Sequence, residues 1–225
     1  MTSSSSPGRS RKRPAERREE ILAAAAAIAI EQGLERITLR AVADRLGVRA
    51  GLITHYFPAA EDLVVEGFVR AAEAERERFF PTDGDAMRRL AHFLGYIESG
   101  ASLPLARLWL NARHLSRFSS ALNRALDEQD VLDRMRLARL IADGIAAGDF
   151  ADTDPETAST RIWIAIDGTG SYVNSAIDYS SAAHARFASD VAEWALGLPQ
   201  GDLRREIDGG GASGAAAERH DQEQR

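Results

Sequence analysis

Residues 37–57 read ITLRAVADRLGVRAGLITHYF, and this stretch predicts two short helices joined by a tight turn. Thr38 is a good N-cap, and an amphipathic helix follows it as far as Gly47. A three-residue turn centred on that glycine leads to a second helix, about Arg49 to Phe57. Two short helices around a glycine-containing turn form a helix-turn-helix, whose second helix lies in the major groove when the motif binds DNA.

The predicted second helix carries residue types that suit contacts with DNA. Arg49 can pair with guanine or a phosphate, and Thr54 can bond a base or press its methyl group against thymine. Gly51 lets the helix approach DNA closely, and basic residues before the first helix can follow the backbone or enter a minor groove. The predicted DNA-contacting residues are Arg11, Lys12, Arg13, Thr38, Arg40, Arg49, Ala50, Gly51, Thr54, His55 and Tyr56.

The charge is distributed unevenly along the chain. The net charge is −6, yet residues 1–58 hold ten Arg and Lys against six Asp and Glu, a balance of +4. The remainder carries −10. A basic head on an acidic body is expected where one end of a protein meets a polyanion.

The composition excludes several classes of protein. The 225 residues include no cysteine, so a disulfide framework, a cysteine zinc site and thiol chemistry are excluded. The longest apolar run, residues 21–30, is about half the ~20 residues that a membrane span needs, and the N-terminus lacks signal-peptide character. We therefore expect a cytoplasmic protein.

The pattern along the chain predicts an all-α protein of about nine helices. Beyond a first helix from Pro14 to Gln32, the helix-turn-helix and a helix reaching Phe79, helices are expected at about 85–99, 103–116, 119–147, 155–179 and 183–197. The predicted boundaries are 1–13 for a disordered basic arm, 14–58 for a three-helix helix-turn-helix domain, 59–200 for a helical body and 201–225 for a disordered tail.

Residues from about Arg17 to Phe68 resemble the DNA-binding domain of the TetR family of transcriptional regulators. The resemblance is carried by ILAAAAAIAIEQGLERITLRAVADRLGVRAGLITHYFPAAEDLVVEGF, residues 21–68. Three features are similar to those of the choline-responsive Bet repressor branch: the motif GLITHYF at 51–57, the motif AGDF at 147–150 and the Asp167-Gly168 pair. Two departures stand out: Arg49 replaces the family's usual serine cap, and Ala59-Ala60 replaces its usual Ser-Lys.

The resemblance implies that the body, residues 59–200, is a ligand-binding and dimerisation domain. Its last two helices would form a four-helix bundle across a homodimer, although the same apolar stripes also suit an intramolecular core. The predicted interface residues are Ile166, Gly170, Val173, Phe187, Val191 and Trp194. Gly168 and Gly170 would allow another helix to approach closely.

The family also binds its ligand in a cavity among the middle helices of the body. By residue type, the candidate lining residues are Phe93, Tyr96, Trp109, His114, Phe118, Trp163 and Asp167. Trp109 and Trp163 could hold a cation against their ring faces, with Asp167 as its counter-charge.

An enzyme is the main rival class, and the motifs argue against it. The five histidines are scattered, and the chain has no phosphate-cradling glycine loop, nucleophile elbow or metal-ligand pattern. We expect no catalytic residue, metal or cofactor. The sequence instead favours a repressor that binds a palindromic operator as a homodimer and is released by a small molecule. The alternative is an all-helical interaction module that does not bind DNA.

Overall fold

The computed structural model describes residues 13–175 and 181–209, and this part of the chain is helical with no strand. The N-terminal helices are α1 (Pro14–Gln32), α2 (Leu39–Leu46) and α3 (Ala50–Tyr56), with a 3-10 turn at Leu34–Arg36. The long α4 (Ala60–Phe79) follows. The body continues with α5 (Ala86–Glu98), α6 (Leu103–Leu115), α7 (Ser120–Ala147), α8 (Pro155–Gly170), α9 (Ala182–Ala185), α10 (Phe187–Leu196) and α11 (202–209).

Local signals set the ends of the N-terminal helices. The Thr38 hydroxyl accepts a hydrogen bond of 3.0 Å from the Ala41 backbone N–H at the start of α2. Gly47 ends α2 with φ of 63°, a left-handed conformation that glycine adopts without strain. The predicted helix-turn-helix is therefore confirmed as a backbone arrangement.

Helix α4 belongs to both halves of the molecule. Its first half lies along α1, where a Cβ on Gly67 would come within 3.1 Å of the Ala25 Cβ, so the glycine permits this close packing. Arg70 bonds Glu19 of α1 at 2.7 Å. The second half packs on α7, and one continuous core of buried residues extends through both halves. Any displacement of α4 must therefore be shared between the N-terminal helices and the body.

Two of the predicted helices in the body are shorter or broken. Helix α8 ends at Gly170 rather than near residue 179, because glycines at 168 and 170 weaken it and the Ser171 hydroxyl bonds the Gly168 carbonyl at 2.7 Å. The helix expected at 183–197 is interrupted at Arg186, which leaves α9 and α10.

The disordered tail predicted from residue 201 is wrong for residues 202–209, which form α11. The buried carboxylate of Glu193 accepts hydrogen bonds from the backbone N–H groups of Gly201 (2.8 Å) and Leu203 (2.9 Å), so a side chain of α10 caps α11. Leu203 is fully buried. The remainder of that tail and the basic arm as far as residue 12 lie outside the described residues.

Within these described ranges, every helix is too short or too polar to traverse a lipid bilayer. The same ranges contain no group of three or more histidine, aspartate or glutamate side chains arranged to hold a metal ion.

Candidate nucleic-acid interface and cavity

Helix α3 has one buried side and one side open to solvent. Ile53 is fully buried and Phe57 nearly so, and these two anchor the helix on the N-terminal core. Arg49, Ala50, Gly51, Thr54 and His55 are exposed, and Tyr56 is half-buried. The structure therefore brings the predicted recognition residues together on one accessible face.

The side chains of this face have few partners within the protein. Arg49 stands at the N-cap of α3 without a capping bond, and it forms no ion pair with any residue described. The Thr54 hydroxyl donates to the Ala50 carbonyl at 3.2 Å, which leaves its methyl group and oxygen lone pairs exposed. A Cβ on Gly51 would meet nothing within 4 Å, so no packing contact inside the chain requires glycine there.

The residues expected to contact phosphates lie around this face. Arg40 is 89% exposed and holds Asp44 loosely at 3.7 Å, and the rings of His55 and Tyr56 meet edge to face at 5.3 Å. Arg13 is exposed at the N-terminus of α1, where its guanidinium donates to Glu16 at 2.8 Å. Arg11 and Lys12 lie outside the described residues.

An ion pair joins α2 to α1 next to this face. Arg45 of α2 makes two hydrogen bonds, of 2.6 and 2.7 Å, to the Glu31 carboxylate at the end of α1. These bonds hold the pKa of Glu31 below its usual value. At the start of α4, Ala59 makes no side-chain cap, but the Ser119 hydroxyl of the body donates to Glu61 at 2.6 Å.

A cavity of about 640 Å³ lies in the body among α6, α7, α8 and α9. Three of the seven candidate residues line it: Trp109, Trp163 and Asp167. The remaining lining residues include Phe79, Ile97, Glu98, Leu105, Arg113, Asp130, Asp133, Tyr172 and His184. The size is within the range of about 300–1,000 Å³ that small-molecule sites occupy.

Four of the candidate lining residues lie elsewhere. Phe93 is fully buried in the core, stacked on Phe80 at 4.8 Å, and the Tyr96 hydroxyl donates to Glu75 at 2.8 Å. His114 is exposed and Phe118 is 75% exposed. These four side chains do not line this cavity, because an aromatic or histidine side chain in the sequence does not reveal which side of its helix faces the cavity.

The charged groups of the cavity wall are largely paired. The buried Arg76 of α4 donates to the Asp133 carboxylate at 2.5 Å and to the Gln129 side-chain oxygen at 2.8 Å. Burial raises the pKa of Asp133 to about 6 despite this partner. Arg113 donates to both oxygens of Asp167, at 2.9 and 3.0 Å, and lies 5.7 Å from the Trp109 ring centre. Asp167 therefore already has a cation of the protein's own as its counter-charge.

Two contacts of α6 connect the cavity with the N-terminal helices. Trp109, in the cavity wall, meets Phe68 of α4 edge to face at 5.5 Å. Half a turn further on, the Asn111 side-chain oxygen accepts a hydrogen bond of 2.8 Å from the Leu34 backbone N–H. A shift of α6 would therefore directly displace the 3-10 turn before α2.

The predicted dimer residues fall into two groups. Ile166, Gly170 and Val173 line the cavity, and their contact with a partner chain stays a prediction. On α10, Phe187 and Trp194 are exposed and Val191 is half-buried.

The apolar surface on α8 is instead Ile164, which is 66% exposed. The sequence does not single out Ile164, because the run IWIAI at 162–166 places apolar residues on nearly every side of this helix. Trp194 is 67% exposed, and the Arg161 guanidinium lies 4.7 Å from its ring centre. We call Ile164, Phe187 and Trp194 the α8–α10 patch.

Comparison with known proteins agrees with this architecture. Residues 21–66 match the family described as bacterial regulatory proteins, tetR family. The HTH-type transcriptional repressor KstR of Mycobacterium tuberculosis is 30% identical over 133 residues, which cover 57% of this chain and 60% of KstR. The chain thus spans less than two thirds of the length of this curated relative.

Solved structures show the same fold over most of the chain. A regulator from Saccharomonospora viridis in complex with choline has a TM-score of 0.61 at 21% identity, covering 80% of this chain and 95% of that one. FadR from Bacillus subtilis in complex with stearoyl-CoA has a TM-score of 0.60 at 21% identity, covering 79% and 97%. Because these ligands differ, the similarity to the choline-responsive branch stays a prediction.

Proposed function

The chain belongs to the TetR family through its N-terminal domain, and from this premise we propose that it is a ligand-responsive repressor of transcription. It binds a palindromic DNA operator as a homodimer and is released by a small molecule. The observation that carries the proposal is the accessible face of α3, where Arg49, Gly51 and Thr54 are exposed while Ile53 and Phe57 hold the helix to the core. No observation favours a catalytic function.

Two sets of residues would contact DNA, one at the base edges and one at the phosphates. Arg49, Ala50, Gly51 and Thr54 would meet base edges in the major groove. The phosphate contacts would come from the surrounding residues, which are Arg11, Lys12, Arg13, Thr38, Arg40, His55 and Tyr56. Arg49, which replaces the family's usual cap, would add a base contact at the cost of helix capping.

A two-fold partner is required because one helix-turn-helix covers only a half-site. The α8–α10 patch supports pairing because its three large apolar side chains are exposed on two helices that pack together. Gly168, on the same exposed side of α8, would let a partner helix approach.

The cavity would take the small molecule, and α4 and α6 would transmit its effect. A ligand that displaces Trp109 or Asp133 acts on their α4 contacts, Phe68 and Arg76. Coupling of this kind needs only about 1–3 kcal/mol. We place this regulator in the cytoplasm.

The test is selection of bound sequences from a random duplex library, made at two salt concentrations. We expect an enriched inverted repeat whose half-sites lie about one helical turn, or a multiple of it, apart. Affinity should fall steeply with salt because Arg and Lys release counterions from phosphates. Absence of any enriched sequence would overturn the proposal and favour the helical interaction module.

Pairing is tested separately by sedimentation. Ile164→Glu should convert the dimer to a monomer, because it places a charge in the α8–α10 patch. Val131→Glu is the matched control, since Val131 is a similarly exposed apolar residue on α7. Equal behaviour of the two variants would contradict the assigned interface.

A further inference from the structure

Among the described residues, the cavity wall carries four carboxylates but only one guanidinium. Three of the carboxylates have an arginine partner within 3 Å. The pairs are Asp133 with Arg76 at 2.5 Å, Asp130 with Arg134 at 2.5 Å and Asp167 with Arg113 at 2.9 Å. Glu98, the last residue of α5, is the fourth, and among the described residues it forms no ion pair.

Glu98 is held in place on one side only. Its Oε1 accepts a hydrogen bond of 3.0 Å from the Ser189 backbone N–H in the first turn of α10. Its Oε2 is buried and has no hydrogen bond within the distance limit among the residues described, although the Ser189 hydroxyl, also buried and unbonded, is close enough to lower the pKa of this carboxyl group. Burial raises the pKa of Glu98, and the opposing effects of Ser189 and of Arg204, which is itself bonded to Asp208 at 2.9 Å, do not cancel this rise. A carboxylate oxygen buried without a partner costs free energy that a bound donor would recover.

A second group in the same wall also lacks a partner. The Trp163 indole N–H is buried and makes no hydrogen bond within the described ranges, although its ring packs on Phe93 at 5.5 Å. Trp163 and Glu98 both line the cavity. Two polar groups of this wall are therefore without a hydrogen-bond partner among the described residues.

An anionic ligand suits the cavity less well. The guanidinium of Arg113 is already bonded to both oxygens of Asp167, and it lies over Trp109. A ligand carboxylate that took Arg113 would leave Asp167 without its partner and close enough to Asp130 to be repelled. Such an exchange adds negative charge to a wall that already has an unpaired carboxylate.

We propose that the effector is an apolar amine, and that Glu98 binds its protonated nitrogen while Trp109 and Trp163 contact its apolar body. This inference depends on the proposed function only in that the ligand is called an effector. The binding site itself is argued from the cavity alone. Because Glu98 also holds the first turn of α10, ligand bound there would act on the α8–α10 patch as well as on α4.

The experiment uses three probes of equal chain length: octylamine, octanoate and 1-octanol. Each is titrated into the full chain at pH 7 without DNA, and binding is followed by intrinsic fluorescence, since two of the three tryptophans line the cavity. We expect octylamine to bind at least about 10-fold more tightly than either other probe, the effect of one charge-assisted hydrogen bond. In Glu98→Gln this preference should disappear while affinity for 1-octanol is unchanged.

The matched control is Glu128→Gln, an exposed glutamate on α7 outside the cavity wall, which should bind octylamine like the unaltered protein. Circular dichroism verifies that Glu98→Gln is folded, as its amide oxygen can still accept from Ser189. Tighter binding of octanoate, undiminished octylamine binding in Glu98→Gln, or no binding of any probe would overturn the inference. Failure of the operator selection would overturn the proposed function and leave this titration intact.

Discussion

On the outward face of α3, Arg49 has no ionic partner among the residues described, whereas in the cavity wall Asp133 and Asp167 each have an arginine within 3 Å. The first arrangement leaves a charge in water, where it costs little and can reach an external partner. The second removes charge from water, which is costly unless the partner stays in place. Removing a charge should therefore alter binding at α3 and alter stability at the cavity.

The largest expected effect is that of Arg76→Met. It leaves the buried carboxylate of Asp133 unpaired, so the free energy of unfolding should fall by about 3–5 kcal/mol. Urea denaturation followed by circular dichroism measures it. Arg134→Met is the control, because its pair with Asp130 is partly exposed and should contribute less than about 1 kcal/mol. Equal losses in the two variants would break the contrast between buried and exposed pairs.

The next effect concerns pH. The folded protein holds the proton of Asp133 with a pKa of about 6, against 3.8 ordinarily. Since the folded state binds this proton more tightly than the unfolded chain, the contribution of Asp133 to stability falls as pH rises from about 4 to about 6, and is constant above that.

Asp133→Asn removes this titration. Its free energy of unfolding should change less between pH 4 and pH 6.5 than that of the unaltered protein, by on the order of 2 kcal/mol. Urea denaturation at four pH values would give the slope of the free energy of unfolding against pH for each protein. Identical slopes in the two proteins would show that Asp133 is not the group responsible.

Arg49→Ala should leave the free energy of unfolding within about 0.5 kcal/mol of its original value, because the side chain is exposed. Discrimination at one base position should fall by about 1–3 kcal/mol. Competition binding with single-base operator variants measures this loss.

Arg107→Ala, which removes an exposed arginine on α6, is the control and should change neither quantity. Deletion of residues 1–13 should instead weaken all sequences alike and flatten the salt dependence. A loss of selectivity in that deletion equal to the loss in Arg49→Ala would contradict the division between base and phosphate contacts.

The smallest effect separates two roles of Thr38. Thr38→Ala removes the cap of α2 and should cost about 1 kcal/mol of stability. Thr38→Ser retains the hydroxyl and should restore both stability and affinity for DNA. If Thr38→Ala weakens DNA binding with no loss of stability, the hydroxyl acts on phosphate rather than as a cap.

The N-terminal helices could be predicted closely because their signals are local. A cap at Thr38 and a glycine at 47 act on the next few residues, and α2 and α3 lie within one residue of the expected bounds. The face of α3 was also predictable, since Ile53 and Phe57 are the large apolar residues that a short helix must bury.

The cavity could be predicted only in part. Trp109, Trp163 and Asp167 line it, but Phe93 is core and Phe118 is on the surface. These positions depend on how α5, α6 and α8 rotate against one another, and rotation is decided by packing between distant segments. Nothing in the sequence identifies Glu98 as a candidate binding residue, because its lack of an ionic partner is visible only when all its neighbours are known.

By itself, the sequence determined an all-helical chain with a helix-turn-helix near its start, since helix periodicity and capping act over a few residues. Only the tertiary structure decided that Ile164 rather than Ile166 is exposed, that Glu193 caps α11, and that Arg76 and Arg113 neutralise the aspartates of the cavity. Each of these depends on contacts between residues far apart in the chain. Such contacts form when the core packs as a whole, so no local pattern encodes them.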